Sequence, residues 1–264
     1  MFKANPKNYR LLHLIFFIVF FIPSCTFTDT KEKDNKVLDS MSHNKAKDSL
    51  QTLKSNKKYF SKEDSLLWLK ASSDTEKFAE AERLFQENKI ADAIKVYKSL
   101  IQKKVLSIKS LIHIADLFLE KENAFCLAVC DEIIRLDKEK KSPIPYYFKA
   151  LYYTKKNPSD TTRIIQNLNL SIIQDWSFVD AYIEKGLVYF KNQDYEKAHK
   201  IFAMAQVVNS RFADAYYWMA RCEEKMGLEE QAIPNYQRAI LFDKNFIQAK
   251  EKLHILIEKR KKKK

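Results

Sequence analysis

An all-α solenoid of about five helix pairs, closed by a C-terminal helix, is the fold the sequence predicts, on three observations. The first is self-similarity at a fixed interval: "FVDAYIEKGLVYFKNQDYEKAHKIFAMAQVVNSR" from Phe178 runs straight into "FADAYYWMARCEEKMGLEEQAIPNYQRAILFDKN" from Phe212. Ala181, Gly186, Ala198 and Ala205 return 34 residues later as Ala215, Ala220, Ala232 and Ala239. The second is that one small place can be followed backwards through Ala220, Gly186, Ala150, Ala115 and Ala81, at intervals of 34, 36, 35 and 34 residues, and forwards by 34 to His254. The third is that large apolar residues surround these places, among them Tyr189, Phe202, Val208, Tyr236, Ile240 and Phe242. Two helices pack with axes roughly 8 to 10 Å apart only where side chains at the crossing are small.

The chain opens with Lys3, Lys7 and Arg10, followed by an apolar run from Leu11 to Ile22 broken only by His13. As a helix that run spans about 18 Å at ~1.5 Å per residue, short of the ~30 Å of a bilayer core. A basic start, a short apolar stretch and small residues at its end form the layout of a secretory signal. The closing "IPSC" resembles a bacterial lipobox, with Ile22 and Ser24 in place and Pro23 departing from the pattern. The resemblance implies removal of residues 1–24 and a mature N-terminus at Cys25 that carries a diacylglycerol thioether and an amide-linked acyl chain. Several chains hold a protein stably on a membrane; an ordinary secreted protein and an uncleaved anchor are the alternatives. Thr26 rather than aspartate follows the cysteine, which favours the outer membrane by analogy with enterobacterial sorting. Residues 25–60 are rich in Lys, Asp, Ser, Thr and Asn, with isolated apolar residues, and read as a lipidated start and a disordered tether. Over 61–73, Ser61 and Asp64 are spaced like a capping box, and Leu66, Leu67, Trp68 and Leu69 supply the stripe of a leading helix.

From Asp74 to Phe246 the small places and their spacing resemble the tetratricopeptide repeat, whose eighth, twentieth and twenty-seventh positions are small. That resemblance implies five repeats over 74–246 wound into a right-handed superhelix. It is strong in the last two repeats and fair in "AERLFQENKIADAIKVYKSL". In the second and third the twentieth place is open between Cys126 and Leu127, and among Thr162 to Ile164. "KKNPSDTT" reads as a turn lengthened by two residues, and "EQAIPNY" places Pro234 near the start of its helix, where proline is tolerated. A capping helix is expected over 247–258, with His254 where its solvated face needs no small residue, followed by a basic tail over 259–264.

Formal charge is +13, but the leader, the tether and the tail carry nearly all of it, leaving about +1 for residues 61–258. Neutralising many phosphates takes clustered Lys and Arg, so nucleic acid is not an expected partner. The two glycines, Gly186 and Gly227, belong to the repeat, which leaves no phosphate-cradling loop. His113, His199 and His254 lie far apart without metal-ligand spacing, and no serine sits in a nucleophile elbow. Neither an enzyme nor a cofactor is expected. Cys126, Cys130 and Cys222 read as buried small hydrophobes rather than a metal or redox set.

In the tetratricopeptide family the first helix of each pair lines a concave groove. Carried onto this sequence, the fifth place reads Phe78, Ile112, Tyr147, Ile183 and Tyr217, while the ninth and twelfth add Phe85, Leu119, Leu151, Leu187 and Phe190. The resemblance implies an apolar groove for an amphipathic helix or extended peptide, without the Lys and Asn set that clamps a terminal carboxylate. Some of these side chains must instead pack against the neighbouring repeat. The expected function is a membrane-tethered scaffold or adaptor for a protein partner of the envelope, similar in layout to the repeat lipoproteins of secretin assembly, protease adaptation and outer-membrane assembly. The alternative is a lipoprotein that captures a small ligand or glycan.

Overall fold

The computed structural model describes residues 72–139 and 141–262. Cys25, the tether and the leading helix lie outside them, except for Ser72 and Ser73, which belong to the first repeat helix. Among the described residues eleven helices follow one another: α1 (Ser72–Gln86), α2 (Ile90–Gln102), α3 (Ile108–Glu120), α4 (Phe125–Leu136), α5 (Ile144–Lys156), α6 (Thr161–Gln174), α7 (Val179–Lys191), α8 (Tyr195–Val208), α9 (Ala213–Lys225), α10 (Glu229–Phe242) and α11 (Ile247–Lys262). They pack as sequential pairs, α1 with α2 through α9 with α10, and from α4 onward each second helix also packs on the next first helix. The all-α solenoid with a closing helix is therefore the observed architecture.

The small places fall at the crossings. Ala81, Ala115, Ala150, Gly186 and Ala220 are all buried, as are Ala93, Ala198 and Ala232 at the twentieth place. The two open registers close on Cys126 and Ile164, which are buried, whereas Leu127 is only half-buried and Thr162 is exposed. Repeat two is thus one residue shorter than the pattern at this place and repeat three two residues longer. Four of the five turns within pairs carry a residue of positive φ seven places after the small one: Asn88 (61°), Glu122 (51°), Gln193 (62°) and Gly227 (79°). Each turn is tied by a hydrogen bond from the following amide back to the helix, as from Lys89 N to Leu84 O and from Leu228 N to Glu223 O. In the lengthened third turn Asn157 instead has φ −145°, and Asp160 caps α6 by accepting from Arg163 N at 3.1 Å.

Aromatic rings fill the space that the close crossings leave. Phe118 lies edge-on to Phe85, Tyr97 and Phe125 at 5.2, 5.9 and 4.9 Å, closing the joint between the first two pairs. Phe202 stacks on Trp218 at 5.9 Å. Pro234 stands in the second turn of α10 rather than at its start, and the helix passes through it. The closing helix also runs beyond the expected end, because the basic tail to Lys262 is helical. Lys259 pairs with Glu229, Arg260 with Glu230 at 3.5 Å and Lys261 with Glu258 at 2.8 Å, so the tail leans on the first turn of α10. His254 is exposed, as a cap residue should be.

Cys126, Cys130 and Cys222 are free, buried thiols. The hydrogen bond with Cys126, together with burial, pushes the Cys130 thiol well above its ordinary value. Burial, with Glu223 alongside, pushes Cys222 up to about 12.

The crossing at Gly186 has no room for a methyl group: a Cβ there would stand 2.4 Å from Cε1 of Phe202, whose ring is itself buried against Trp218. Gly to Ala usually stabilises a helix interior by roughly 0.5 to 1 kcal/mol, but Gly186→Ala is expected to destabilise. Ala220→Leu should cost about 1 to 3 kcal/mol by overpacking, and His254→Leu should stay within about 0.5 kcal/mol of wild type. Denaturant melts of the three variants check the register, which equal losses would refute.

Candidate functional site

The wall of the solenoid built by first helices is the surface to which the repeat pattern directs attention. Successive first helices approach one another directly, α3 to α5 and α7 to α9, so residues at one repeat position form a row along the array. The predicted apolar lining does not stand open on this wall. Phe78, Phe85, Ile112, Leu119, Tyr147, Leu151, Ile183, Leu187 and Tyr217 are buried, at most 9 % exposed, and Phe190 is half-buried. Phe78 meets Tyr97, Tyr147 meets Phe178, Phe190 meets Tyr195 and Trp218, and Tyr217 meets Tyr236 and Phe246. These ten side chains seal helix against helix. At about 25 cal/mol per Å² of apolar surface removed from water, that packing supports the fold rather than offering an accessible stripe.

What reaches the surface of the wall is charge. Along the thirteenth repeat place stand Glu120, Lys155, Lys191 and Lys225, at intervals of 35, 36 and 34 residues; all but the half-buried Lys155 are exposed. Beneath that row, the ninth place contributes the half-buried Glu82, Asp116 and Arg221. This charge was legible in the repeat register, but a reading that followed only the apolar members of those positions passes over it.

Two polar groups result. Near the start, Glu82 accepts from the Tyr97 hydroxyl and lies 3.3 Å from Nε2 of His113. Asp116 is one helical turn from both His113 and Glu120, and its Oδ1 is shut off from solvent without a hydrogen-bond partner. Burial, with the charge of Glu120 adding to it against His113 and Lys155, pushes its carboxyl up to about 7. Lys155 donates to the carbonyl of Leu119 at 3.4 Å.

Towards the end of the array, the Arg221 guanidinium sits 5.8 to 5.9 Å from the ring centres of Phe190, Tyr217 and Trp218, and donates to the Tyr217 hydroxyl at 3.0 Å. Glu224 accepts from the Tyr236 hydroxyl and lies 3.5 Å from Arg221 and 3.8 Å from Lys252, joining α9, α10 and α11. Burial and the nearby Arg221 hold the Lys252 ammonium below its usual value. Behind this group, buried Glu223 receives two hydrogen bonds of 2.9 Å from Asn235 and lies 3.0 Å from Nε2 of His199. His113 and His199 are thus each engaged by a glutamate, and among the described residues no group of three His, Cys, Asp or Glu is placed to hold a metal ion. A shallow, open depression of about 480 Å³ lies at the turn edge between Asn192 and Met226.

A free aspartate titrates near 3.9, so folding raises the Asp116 pKa and the folded chain holds this proton more tightly than the unfolded one. The stability drawn from this residue is therefore complete at low pH and is lost as pH rises from about 4 to about 7. Asp116→Asn should melt above wild type at pH 8 and together with it near pH 4. Thermal melts across that range check it, and coincident melts at pH 8 would count against the placement of the carboxyl.

No protein-family model and no curated protein matches the chain. Among solved structures the chain is similar to MamA, at 18 % identity over 66 % of this chain and 94 % of that one, with a TM-score of 0.52. It is also similar to PilF of Pseudomonas aeruginosa, at 11 % identity over 59 % and 69 % of the two chains, with a TM-score of 0.52. YrrB, described as a tetratricopeptide-repeat protein with an unusual peptide-binding site, aligns at 14 % identity over 66 % and 89 %, with a TM-score of 0.48. At such identities the likeness is one of architecture: the chain folds as a solenoid of tetratricopeptide-type helix pairs.

Proposed function

We propose that this protein is a membrane-tethered interaction scaffold of a bacterial envelope, held by lipid on Cys25 and presenting its wall of first helices to an extended segment of a protein partner. The observation that carries this reading is the row of charged side chains, Glu120, Lys155, Lys191 and Lys225, one from each of four successive pairs. A segment laid along the array meets one such group per repeat, so contact accumulates with length. Recognition then rests on charged and polar contacts, whereas the buried apolar residues of the first helices hold the wall itself together. The basic leader, the short apolar run and Ile22, Ser24 and Cys25 support attachment to the envelope, with the outer membrane favoured by Thr26. No helix among the described residues is long and apolar enough to cross a membrane.

Two measurements test the two halves of the proposal. Cys25→Ser should abolish fatty-acid labelling and release the protein from membranes; continued attachment of that variant would reject the lipid anchor. Pulldown from detergent-solubilised envelopes should recover a stoichiometric protein partner, lost when Lys191 and Lys225 are both changed to Glu. Retention of glycan with no protein partner would replace the scaffold by a ligand-capturing lipoprotein.

A further inference from the structure

The second helices carry a feature that neither the repeat nor the scaffold reading requires. Among the described residues, the large apolar side chains that stand exposed all fall between Leu170 and Ile255. Three of them recur with the period of the solenoid: Ile173 on α6, Val207 on α8 and Leu241 on α10, spaced 34 and 34 residues apart and 73, 78 and 67 % exposed. One turn earlier on the same helices stand Leu170, Met204 and Arg238, the first two 40 and 53 % exposed. Trp176 follows Ile173 by three residues and is 71 % exposed. In the first repeat the corresponding place is exposed Gln102, and in the second, where the register is one residue shorter, it is exposed Arg135. The outer face of the array is therefore apolar only in its last three repeats.

We infer that this ladder is the face by which two copies of the chain associate, with Val207 of each copy facing Val207 of the other. Its size fits that role. Five non-aromatic side chains of about 60 to 120 Å² each and the indole of Trp176 at up to about 250 Å², at the exposures given, present on the order of 500 Å² of apolar surface. That is the size of the largest, often functional, patch on a typical monomer, ~300 to 600 Å², and with the polar rim at Arg238 and Lys244 around such an apolar centre the face approaches the ~800 Å² per partner of a standard interface. Spacing then selects the occupant. Three apolar groups, one per repeat, are matched by a surface with the same repeat, and a second copy carries it by construction. A two-fold axis through the middle rung makes the contact self-complementary.

Two senses of pairing bring Val207 against Val207. In the reversed sense Ile173 meets Leu241 of the other copy, and the stem of Arg238 lies over Leu170. In the parallel sense each rung meets itself, and Arg238 is brought towards Lys244 of the other copy, a like-charge opposition that costs affinity. The reversed sense is the one assigned. It leaves the wall of first helices of both copies free, so the association is independent of partner binding there.

Full-length chain in detergent solution carrying Val207→Cys should form a disulfide-linked dimer on mild oxidation. A mixture of Ile173→Cys and Leu241→Cys should give a mixed dimer that neither variant forms alone, and Lys191→Cys, on the first-helix wall, should give none. Val207→Glu, which opposes two carboxylates at the axis, should raise the dimer dissociation constant at least tenfold by sedimentation while leaving the thermal melt unchanged. A wild-type chain that sediments as a monomer at micromolar concentration overturns the proposal. So does crosslinking through Val207→Cys no greater than through Lys191→Cys. Strong self-crosslinking of Ile173→Cys alone rejects the reversed sense. Vesicles of phosphatidylcholine that bind monomeric wild type but not Val207→Glu would assign the face to lipid and reject the dimer.

Discussion

Everything in this fold depends on helices approaching each other where no side chain stands between them. At Gly186 the partner is a phenyl ring that occupies the space a methyl group would need. Because that ring is pinned by Trp218, and Trp218 by Phe190 and Tyr217, the spacing set at one crossing is passed to the neighbouring pair. Small residues at the crossings thus determine where the large ones must go. The buried aromatics between first helices are the consequence, since a wall whose helices touch has no apolar groove left along its joints. The same closure pushes charged side chains to the rim of each helix, where they line up by repeat.

The two ends of the array are finished differently. In the last two pairs and the closing helix, Glu223 and Glu224, both on α9, each tie three helices together, one through Asn235 on α10 and His199 on α8 and the other through Tyr236 on α10 and Lys252 on α11, with Arg221 beside it. Such networks add little net stability compared with apolar packing but penalise any other register, because a slipped helix leaves a buried charge unpaired. At the opposite end Asp116 is sheltered without a comparable set of donors. The array is therefore electrostatically settled at its end and unsettled near its start.

Architecture was legible in the sequence because the constraint that builds it is steric and periodic. An alanine or glycine every 34 to 36 residues needs no knowledge of what surrounds it, and the lengthened turn at "KKNPSDTT" follows from the same count. Cys126 and Ile164 could not be chosen over their neighbours by spacing alone, since one residue of slack in a turn moves the register, and only burial decides it. Surface character was less legible. Phe78 or Tyr147 at a position that faces a ligand in one solenoid faces the next helix in another, and the difference lies in how tightly the pairs close. Charges at the same repeat places were in plain view, and their meaning appears only once the apolar residues are seen to be consumed by packing. The ladder of Ile173, Val207 and Leu241 belongs to the same class: its period is in the sequence, its exposure is not.

The three thiols give the solenoid a way to report on its own cooperativity. Out of reach of water, with burial holding Cys130 and Cys222 protonated, the thiols of Cys126 and Cys130 in the second repeat and of Cys222 in the fifth are inert while their pairs remain closed. A stack in which each unit mainly touches its neighbours can open in pieces, each with its own free energy. Reaction at these sulfurs is therefore a clock for the opening of the repeat that holds them: similar rates mean that the array breathes as one body, and a gap between them measures how far its two halves are uncoupled.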